Sequence, residues 1–336
     1  MTELLKRLCE ADATAGDEGA VRDIILSEIS GKCDTRIDAA GNILVEKQGK
    51  KRSAVRLMLD AHTDEVGLII SGATPEGFLK FALLGGIETA ALFGRRVRIN
   101  GKIPGIIGLK PIHLLHGDEG KKLPEVSTLC IDIGASDSAQ ALNAVPLGSR
   151  AVVEGEWAVC GENILSKALD DRIGCAVLAA LLSEDSEYGF CASFSSSEEI
   201  GTRGARVAAY TLNPQAAVVL EGTTASDIAG SAPEKQVCVL GKGPAVSFMD
   251  RGTVYDRAYY NAALGSGILC QTKAAVAGGN DSSAIHLSRS GVRTLAISAP
   301  CRYIHTAVSA ANVRDIEGCA ELARYMINGI CSGDIR

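Results

Sequence analysis

The alternation of apolar and polar positions divides the chain into three stretches, and the first has an α/β pattern. Residues 2–12 and 19–30 show the spacing of amphipathic helices, and residues 42–47 and 54–60 show that of strands. The second of these strands is apolar at nearly every position, which is typical of a strand buried on both faces of a sheet. The chain therefore begins as an α/β protein.

In the second stretch, between about residues 68 and 162, helical periodicity nearly disappears. Short strand-like runs separated by turn residues replace it, and glycine is frequent, as at Gly85 and Gly86. This pattern predicts a small β-rich domain, 68–162, inserted into an α/β domain formed by residues 1–67 and 163–336. The predicted strands of the insert are 66–71, 78–83, 96–100, 102–108, 130–133 and 151–154.

In the third stretch, after residue 163, helices and strands alternate again. A strongly apolar helix is predicted over residues 175–182, and a long helix, capped by Asn312, closes the chain. Alternating helices and strands are typical of an α/β sheet. The other predicted elements are strands 189–194, 216–220, 236–240, 268–272 and 293–298, and helices 204–211 and 255–265.

Composition and charge narrow the class of protein. A chain of 336 residues is long enough for a large buried core, and its net charge of −6 argues against a nucleic-acid partner. No apolar run approaches the roughly 18–20 residues that span a bilayer. The 11 cysteines are scattered without a C-x-x-C pair, and the first residues read as an amphipathic helix rather than a secretory leader. We therefore expect a cytoplasmic protein with reduced, mostly buried cysteines.

Polar side chains recur where predicted apolar strands end or helices begin. A single such residue has an ordinary explanation, such as a histidine beside a capping aspartate. Taken together they would place a row of acids at one sheet edge, where open α/β sheets bind their ligands. Carboxylates with one or two imidazoles suit Zn²⁺, Co²⁺ or Mn²⁺ and are typical of two-metal hydrolases. The residues are His62, Asp64, Asp170, Asp171, Glu198, Glu199, Glu221 and His305.

Three other residues require an interpretation. His113 and His116 form an H-x-x-H pair, but no carboxylate or cysteine stands at a complementary spacing, so we expect them at the surface or an interface. Cys301 lies four residues before His305. We expect a packed small side chain there, with a redox-sensitive thiol or a metal contact as alternatives.

The motifs around these residues resemble those of the M42 family of metallo-aminopeptidases. That family includes glutamyl, leucyl and lysyl aminopeptidases, tetrahedral aminopeptidases and relatives often labelled endoglucanase M. The resemblance covers nearly the whole chain and implies a zinc-peptidase αβα sandwich with an inserted small β-barrel or PDZ-like domain used in oligomerisation. The motifs lie at residues 61–67, 108–114, 131–136, 168–174, 197–201, 278–281 and 302–305.

The resemblance also implies two divalent metal ions, Zn²⁺ or Co²⁺ foremost and Mn²⁺ as a further option. Asp170 would bridge them. His62 and Glu221 would complete one ion's ligands, and Glu199 and His305 the other's. Many relatives carry Asp where this chain has Glu221, so the longer side chain is expected to shift the ion or the backbone slightly.

Three further acids receive roles from the same resemblance. Glu198 would be the general base, and Asp64 would orient His62 by a hydrogen bond. Asp171 would contact the ligands rather than the ions, and the peptide bond beside Asp170 would be cis. The two adjacent glutamates then differ in role: Glu199 binds an ion and Glu198 moves a proton.

The function implied is that of a metallo-aminopeptidase, a hydrolase that releases N-terminal residues from short peptides through a hydroxide held between the ions. A related metal-dependent amidohydrolase or deacylase, and a scaffold that has lost catalysis, are the alternatives. A glucanase is disfavoured because the acids are committed to metal. Relatives commonly form dimers that build a dodecamer, so self-association is expected, and the partners are peptide substrates rather than nucleic acid or membrane.

Overall fold

The computed structural model describes residues 1–114, 117, 123–276 and 278–336, and its strands form one large sheet and one closed barrel. Each belongs to a different part of the chain. The strands are, in chain order, β1 (Asp34–Ile37), β2 (Ile43–Lys47), β3 (Leu57–His62), β4 (Gly67–Ala73), β5 (Leu79–Leu84), β6 (Arg96–Ile99), β7 (Ile103–Gly108), β8 (Cys130–Asp132), β9 (Arg150–Val153), β10 (Ala158–Cys160), β11 (Asn163–Ser166), β12 (Phe190–Ser195), β13 (Ala216–Thr224), β14 (Ala245–Val246), β15 (Gln271–Thr272), β16 (Arg293–Arg302) and β17 (Ser309–Asn312).

The large sheet has the strand order β1-β2-β12-β3-β13-β16-β17-β11-β10, with β14 and β15 attached beside β16. Its central strands β12, β3, β13 and β16 run parallel to one another. Because parallel strands point the same way, their carboxyl ends meet at one edge of the sheet. The residues that come just after those strands in sequence therefore lie at that edge.

Helices cover both faces of the large sheet. In β3, Leu57 and Leu59 face the core on one side of the sheet, whereas Met58 faces the core on the other side. This two-sided burial explains why the strand is apolar at successive positions. The helices are α1 (Thr2–Glu10), α2 (Gly19–Glu28), α3 (Ser138–Ala144), α4 (Leu169–Ser183), α5 (Arg203–Leu212), α6 (Arg257–Leu264), α7 (Ser282–Ile285) and α8 (Val313–Ser332).

The barrel closes in the order β4-β5-β8-β7-β6-β9, and its strands lie within Gly67–Val153. Alternate side chains fill its interior, among them Leu68, Phe81 and Ile99, and Ala307 from the large domain packs against the same core. The predicted α/β sandwich with an inserted β-barrel is thus confirmed. Strand β10 falls inside the predicted insert but pairs with β11 in the large sheet.

One predicted strand is wrong. Residues 236–240 form no strand: two successive backbone N–H groups, of residues 237 and 238, bond to the one carbonyl of Ala225, and side chains bond other backbone groups. Gln271 accepts from the Val239 N–H at 2.9 Å and donates to the Val239 carbonyl at 2.9 Å, while Asp227 accepts from the Leu240 N–H at 3.0 Å. An apolar run therefore packs here without a strand partner. The strand predicted over 268–272 is reduced to β15.

Two other expectations concern the surface. His113 is exposed, as predicted, whereas His116 lies outside the described residues. Within the part of the chain that the structure describes, no helix is both long and apolar enough to cross a membrane.

Candidate metal centre

The predicted site residues converge at the carboxyl edge of the parallel strands. His62 is the last residue of β3, and Glu198 and Glu199 lie three and four residues after the end of β12. Glu221 lies near the end of β13, and His305 lies in the turn after β16. The remaining ligand candidate, Asp170, stands in the first turn of α4, which packs against β3 and β13. The strand order thus brings distant segments of the chain to one place.

Asp170 lies between two histidines. Its Oδ1 is 3.6 Å from Nε2 of His62, and its Oδ2 is 3.2 Å from Nε2 of His305. Each histidine also faces its own glutamate: His62 Nε2 is 3.2 Å from Glu221 Oε1, and His305 Nε2 is 3.3 Å from Glu199 Oε1. The five side chains therefore form two groups that share Asp170.

Each histidine is oriented through its other ring nitrogen. His62 Nδ1 lies 3.1 Å from the backbone carbonyl oxygen of Asp64, and His305 Nδ1 lies 3.1 Å from that of Gly86. A histidine that binds a metal through Nε2 carries its proton on Nδ1 and donates it to such an acceptor. Both rings are therefore held with Nε2 toward the carboxylates.

Asp64 acts on both sides of the centre. Its backbone carbonyl faces His62, as above, and its carboxylate Oδ1 is slightly farther from Nδ1, at 3.4 Å. The carboxylate accepts the backbone N–H of Glu198 at 2.9 Å and that of Glu199 at 3.1 Å. Asp64 thus positions the two glutamates as well as the imidazole, which is more than the sequence predicted.

Asp171 contacts the backbone of His62, one of the ligand candidates. Its carboxylate accepts the backbone N–H of His62 at 3.3 Å and that of Gly174 at 2.8 Å, and the Asp170–Asp171 peptide bond is cis. His62, Asp171 and Glu221 offer ligand atoms within 4.8 Å of one another, as do His62, Asp170 and Glu199. Asp171 is therefore close enough to support either His62 or an ion beside it.

The donor set fits divalent cations. Asp170 Oδ1, Glu199 Oε1 and Glu221 Oε2 are buried and have no hydrogen-bond partner among the described residues. Burial raises the pKa of Glu199 and, more strongly, that of Glu221. Burying carboxylate oxygens without partners is costly, and a metal ion would supply both the missing contact and the missing positive charge.

Glu198 differs from these ligand candidates. It belongs to neither of the groups that could hold an ion, although its backbone is fixed by Asp64. Burial raises the pKa of Glu198 to about 9. Positive ions next to the carboxylate would favour its charged form. Glu198 is therefore adjacent in sequence to a ligand candidate, Glu199, but is outside both groups that could hold an ion.

The barrel forms one wall of a cleft that opens beside this centre. Asp170 and His305 line the cleft from the large domain, and Val66, Ile87 and Val153 line it from the barrel side. The cleft has a volume of about 20 Å³, room for about one water molecule, and lies between the two parts of the chain.

Glycines near the ligands were missed from sequence. A Cβ on Gly222 would lie 3.0 Å from Asp170 Oδ1, so a larger residue there would displace the aspartate by a few tenths of an ångström. Gly86 contributes the carbonyl that faces His305. The position of Gly222 directly after Glu221 was a usable signal, whereas nothing local connects Gly86 with a residue more than 200 positions away.

The fold and the site define a class: an α/β protein with a carboxylate–imidazole centre, suited to divalent metal ions, at the carboxyl edge of its sheet. The family model of M42 glutamyl aminopeptidase matches residues 41–322. The chain belongs to the M42 family of aminopeptidases, and it is a peptide hydrolase of that family.

Individual relatives agree with this assignment. A glutamyl aminopeptidase of Lactococcus lactis is 31% identical, with 97% of this chain and 95% of the relative covered. An aminopeptidase from the archaeon Desulfurococcus kamchatkensis is 33% identical, with a TM-score of 0.91 and coverage of 97% of this chain and 93% of that one. The TET1 peptidase of Pyrococcus horikoshii, which can assemble into a tetrahedron or a large octahedral shell, is 30% identical, with a TM-score of 0.85 and coverage of 97% and 98%.

Proposed function

We propose that this protein is a dinuclear metal-dependent aminopeptidase that acts on short peptides. The observation that carries the proposal is the position of Asp170, whose two oxygens face different histidines, at 3.6 Å and 3.2 Å. Each histidine in turn faces a different glutamate. A shared carboxylate between two such groups is the arrangement that bridges two ions.

The proposed ligands follow from these two groups. Asp170, His62 and Glu221 would hold one ion, and Asp170, Glu199 and His305 would hold the other. When bound, the two ions lower the pKa of a water and polarise the scissile carbonyl. The identity of the ions, Zn²⁺, Co²⁺ or Mn²⁺, is left to experiment.

Proton transfer is assigned to Glu198. Its carboxylate lies next to the ligands without belonging to either group, and Asp64 fixes its backbone at 2.9 Å. In this role Glu198 takes a proton from the attacking water and returns it to the leaving amine. The carboxylates around Asp170 would also offer hydrogen-bond acceptors to the ammonium group of a free peptide N-terminus, and this contact would favour removal of one residue at a time.

Self-association through the barrel is part of the proposal. Large aliphatic side chains of the insert face solvent: Ile106 is 46% exposed, Leu109 51% and Leu123 65%. Exposed large apolar side chains are candidates for burial in an interface, although residues of the large domain such as Leu269, 66% exposed, share this property. We propose that dimers form and build a dodecamer, as related peptidases assemble. Light scattering with and without added metal measures this mass, and a monomer under both conditions would contradict it.

The activity is tested by reloading metal-stripped protein with Zn²⁺, Co²⁺ or Mn²⁺. Substrates are a panel of aminoacyl chromogenic amides, short peptides with free or blocked N-termini, and N-acyl amino acids. We expect hydrolysis only where the N-terminus is free. Hydrolysis of N-acyl amino acids alone would identify a deacylase instead, and metal binding without any hydrolysis would identify a non-catalytic scaffold.

The assignment of Glu198 has its own variant. Glu198→Gln keeps the shape and removes the base, so kcat is expected to fall by about 10²- to 10⁴-fold. Metal stoichiometry should stay the same, because Glu198 is not a ligand. Glu184→Gln, at an exposed carboxylate paired with Arg324, is the matched control. An unchanged rate in metal-replete Glu198→Gln would remove Glu198 from the mechanism.

A further inference from the structure

We propose that the Gly85–Gly86 bend, which follows β5 of the barrel, is a positioning element of the metal centre. The Gly86 carbonyl would fix the ring of His305, and Gly85 would let the bend pack against Glu199. The inference rests on the proposed function, because His305 and Glu199 are assigned there to the same ion.

The first argument is the hydrogen bond of His305. Its Nδ1 lies 3.1 Å from the Gly86 carbonyl oxygen, while its Nε2 points to Asp170 and Glu199. Binding an ion through Nε2 requires the proton on Nδ1, and that proton then needs an acceptor. Gly86 supplies the acceptor from the barrel.

The second argument is the exposure of His305. The residue has a positive φ of 59° in the turn after β16, and its side chain is 32% exposed. Hydrogen bonds within the turn, such as that from Thr306 Oγ1 to the Tyr303 carbonyl at 2.7 Å, hold the backbone but not the ring. The bend therefore provides the ring with its orienting contact on the Nδ1 side.

The third argument is that Gly85 has to be glycine for two reasons. Its φ is +89°, a conformation that side chains disfavour. A Cβ at Gly85 would lie 2.8 Å from Val66 Cγ1 and 3.1 Å from both Cβ and Oε2 of Glu199. The bend thus touches Glu199 and His305 together, the two side chains assigned to one ion.

Ile87 connects this bend to the body of the barrel. Its side chain is 7% exposed and packs in the barrel core. A displacement of the barrel relative to the sheet would therefore move the Gly86 carbonyl and weaken one ion position while leaving the other in place. The insert, on this inference, is part of the metal centre as well as a candidate for assembly.

The test compares Gly85→Ala with Gly101→Ala. Gly101 has a φ of +70° between β6 and β7 of the same barrel, but a Cβ there would meet no atom within 4 Å. Both variants therefore strain the backbone, and only the first reaches the metal centre. Calorimetric titration of metal-stripped protein with Co²⁺, together with the visible spectrum of the bound cobalt, measures the two equivalents separately.

The second equivalent of Co²⁺ is taken to be the ion assigned to Glu199 and His305. We expect Gly85→Ala to bind this equivalent about 10- to 100-fold more weakly than the wild type, with an altered cobalt spectrum. The first equivalent of Co²⁺ should bind with unchanged affinity. Gly101→Ala should bind both equivalents like the wild type. Equal binding by the two variants would overturn the inference and leave the proposed function intact. A wild type that fails to bind two equivalents would contradict the proposed function and the inference together.

A second pair of variants covers the case in which Gly85→Ala does not fold. Val66→Ala removes the atom that a new Cβ would meet at 2.8 Å, so the double variant Val66→Ala/Gly85→Ala retains only the contact with Glu199. Val66→Ala alone is its control. The double variant should lose affinity for the second equivalent relative to this control, and equal affinities would again overturn the inference.

Discussion

The two halves of the candidate metal centre are built differently. In the inner half, His62 and Glu221 lie on neighbouring parallel strands, His62 is 1% exposed, and its ring is oriented by Asp64 two residues further on. In the outer half, His305 and Glu199 lie in segments that follow their strands, and His305 is oriented by Gly86, 219 residues away. One half is part of the sheet, and the other depends on how the barrel packs against it.

This difference shows two ways in which a protein can hold a metal-binding side chain in position. A ligand inside a buried strand is held by the backbone hydrogen bonds to the neighbouring strands and by the packing of the core. A ligand in an exposed turn must be held by a partner from elsewhere, at the entropic cost of ordering that partner too. The outer half is therefore where this centre is most open to change, by mutation or by movement of the barrel.

The largest effect is expected where the two halves meet. Asp170→Asn weakens the contacts of both groups, so kcat/KM should fall by at least about 10³-fold and ion binding should be impaired in both halves. Steady-state kinetics and metal analysis measure this. Asp137→Asn, at a helix N-cap in the barrel where asparagine also caps, is the control and should behave as wild type. Loss of a single ion in Asp170→Asn would contradict a shared ligand.

The next largest effect is a difference between the two halves in how much the loss of their histidine lowers the free energy of unfolding. In metal-stripped protein, His62→Gln should lower the free energy of unfolding by about 1–3 kcal/mol, because it leaves buried polar groups unpaired. His305→Gln should cost less than about 1 kcal/mol, because the His305 side chain is itself 32% exposed and water can replace part of its contacts. Chemical denaturation measures both. Equal costs would show that the inner half is no more firmly built than the outer one.

Metal removal should follow the same order. With a chelator in excess, the ion of the outer half is expected to leave first, since His305 is 32% exposed whereas His62 is 1% exposed. Stopped-flow detection should therefore show two phases in the wild type and no fast phase in His305→Gln. A fast phase that persists in His305→Gln but vanishes in His62→Gln would reverse the assignment of the halves.

The smallest effect concerns Cys301, which lies on β16 within the core of the large domain. Burial raises the pKa of its thiol well above the ordinary value, so the reactive thiolate is disfavoured. In the native protein a thiol reagent should label the exposed Cys160 and spare Cys301, and Cys301→Ser should bind metal normally. Rapid labelling of Cys301, or metal loss in Cys301→Ser, would support one of the two alternatives considered for this residue.

Much of the fold could be predicted because its signals are local. Apolar runs such as 54–60 and 293–298 indicated buried strands, and the loss of helical periodicity after residue 68 indicated the barrel. The error at 236–240 has a physical reason: the run is apolar, but its backbone bonds to the Ala225 carbonyl and to the side chains of Asp227 and Gln271 rather than to a neighbouring strand. Local pattern does not reveal a partner that comes from another segment.

By itself the sequence determined which side chains stand after which buried strands, and so which residues could bind metal. Parallel strands must end at a common edge, so the convergence of His62, Glu199 and Glu221 followed from local patterns alone. The family resemblance, and not local pattern, implied how the ligands divide around Asp170. Only the tertiary structure decided that a carbonyl of the barrel orients His305 and that Asp64 accepts the backbone N–H groups of Glu198 and Glu199. Those contacts join segments far apart in the chain, and their geometry depends on packing, which no short stretch of sequence encodes.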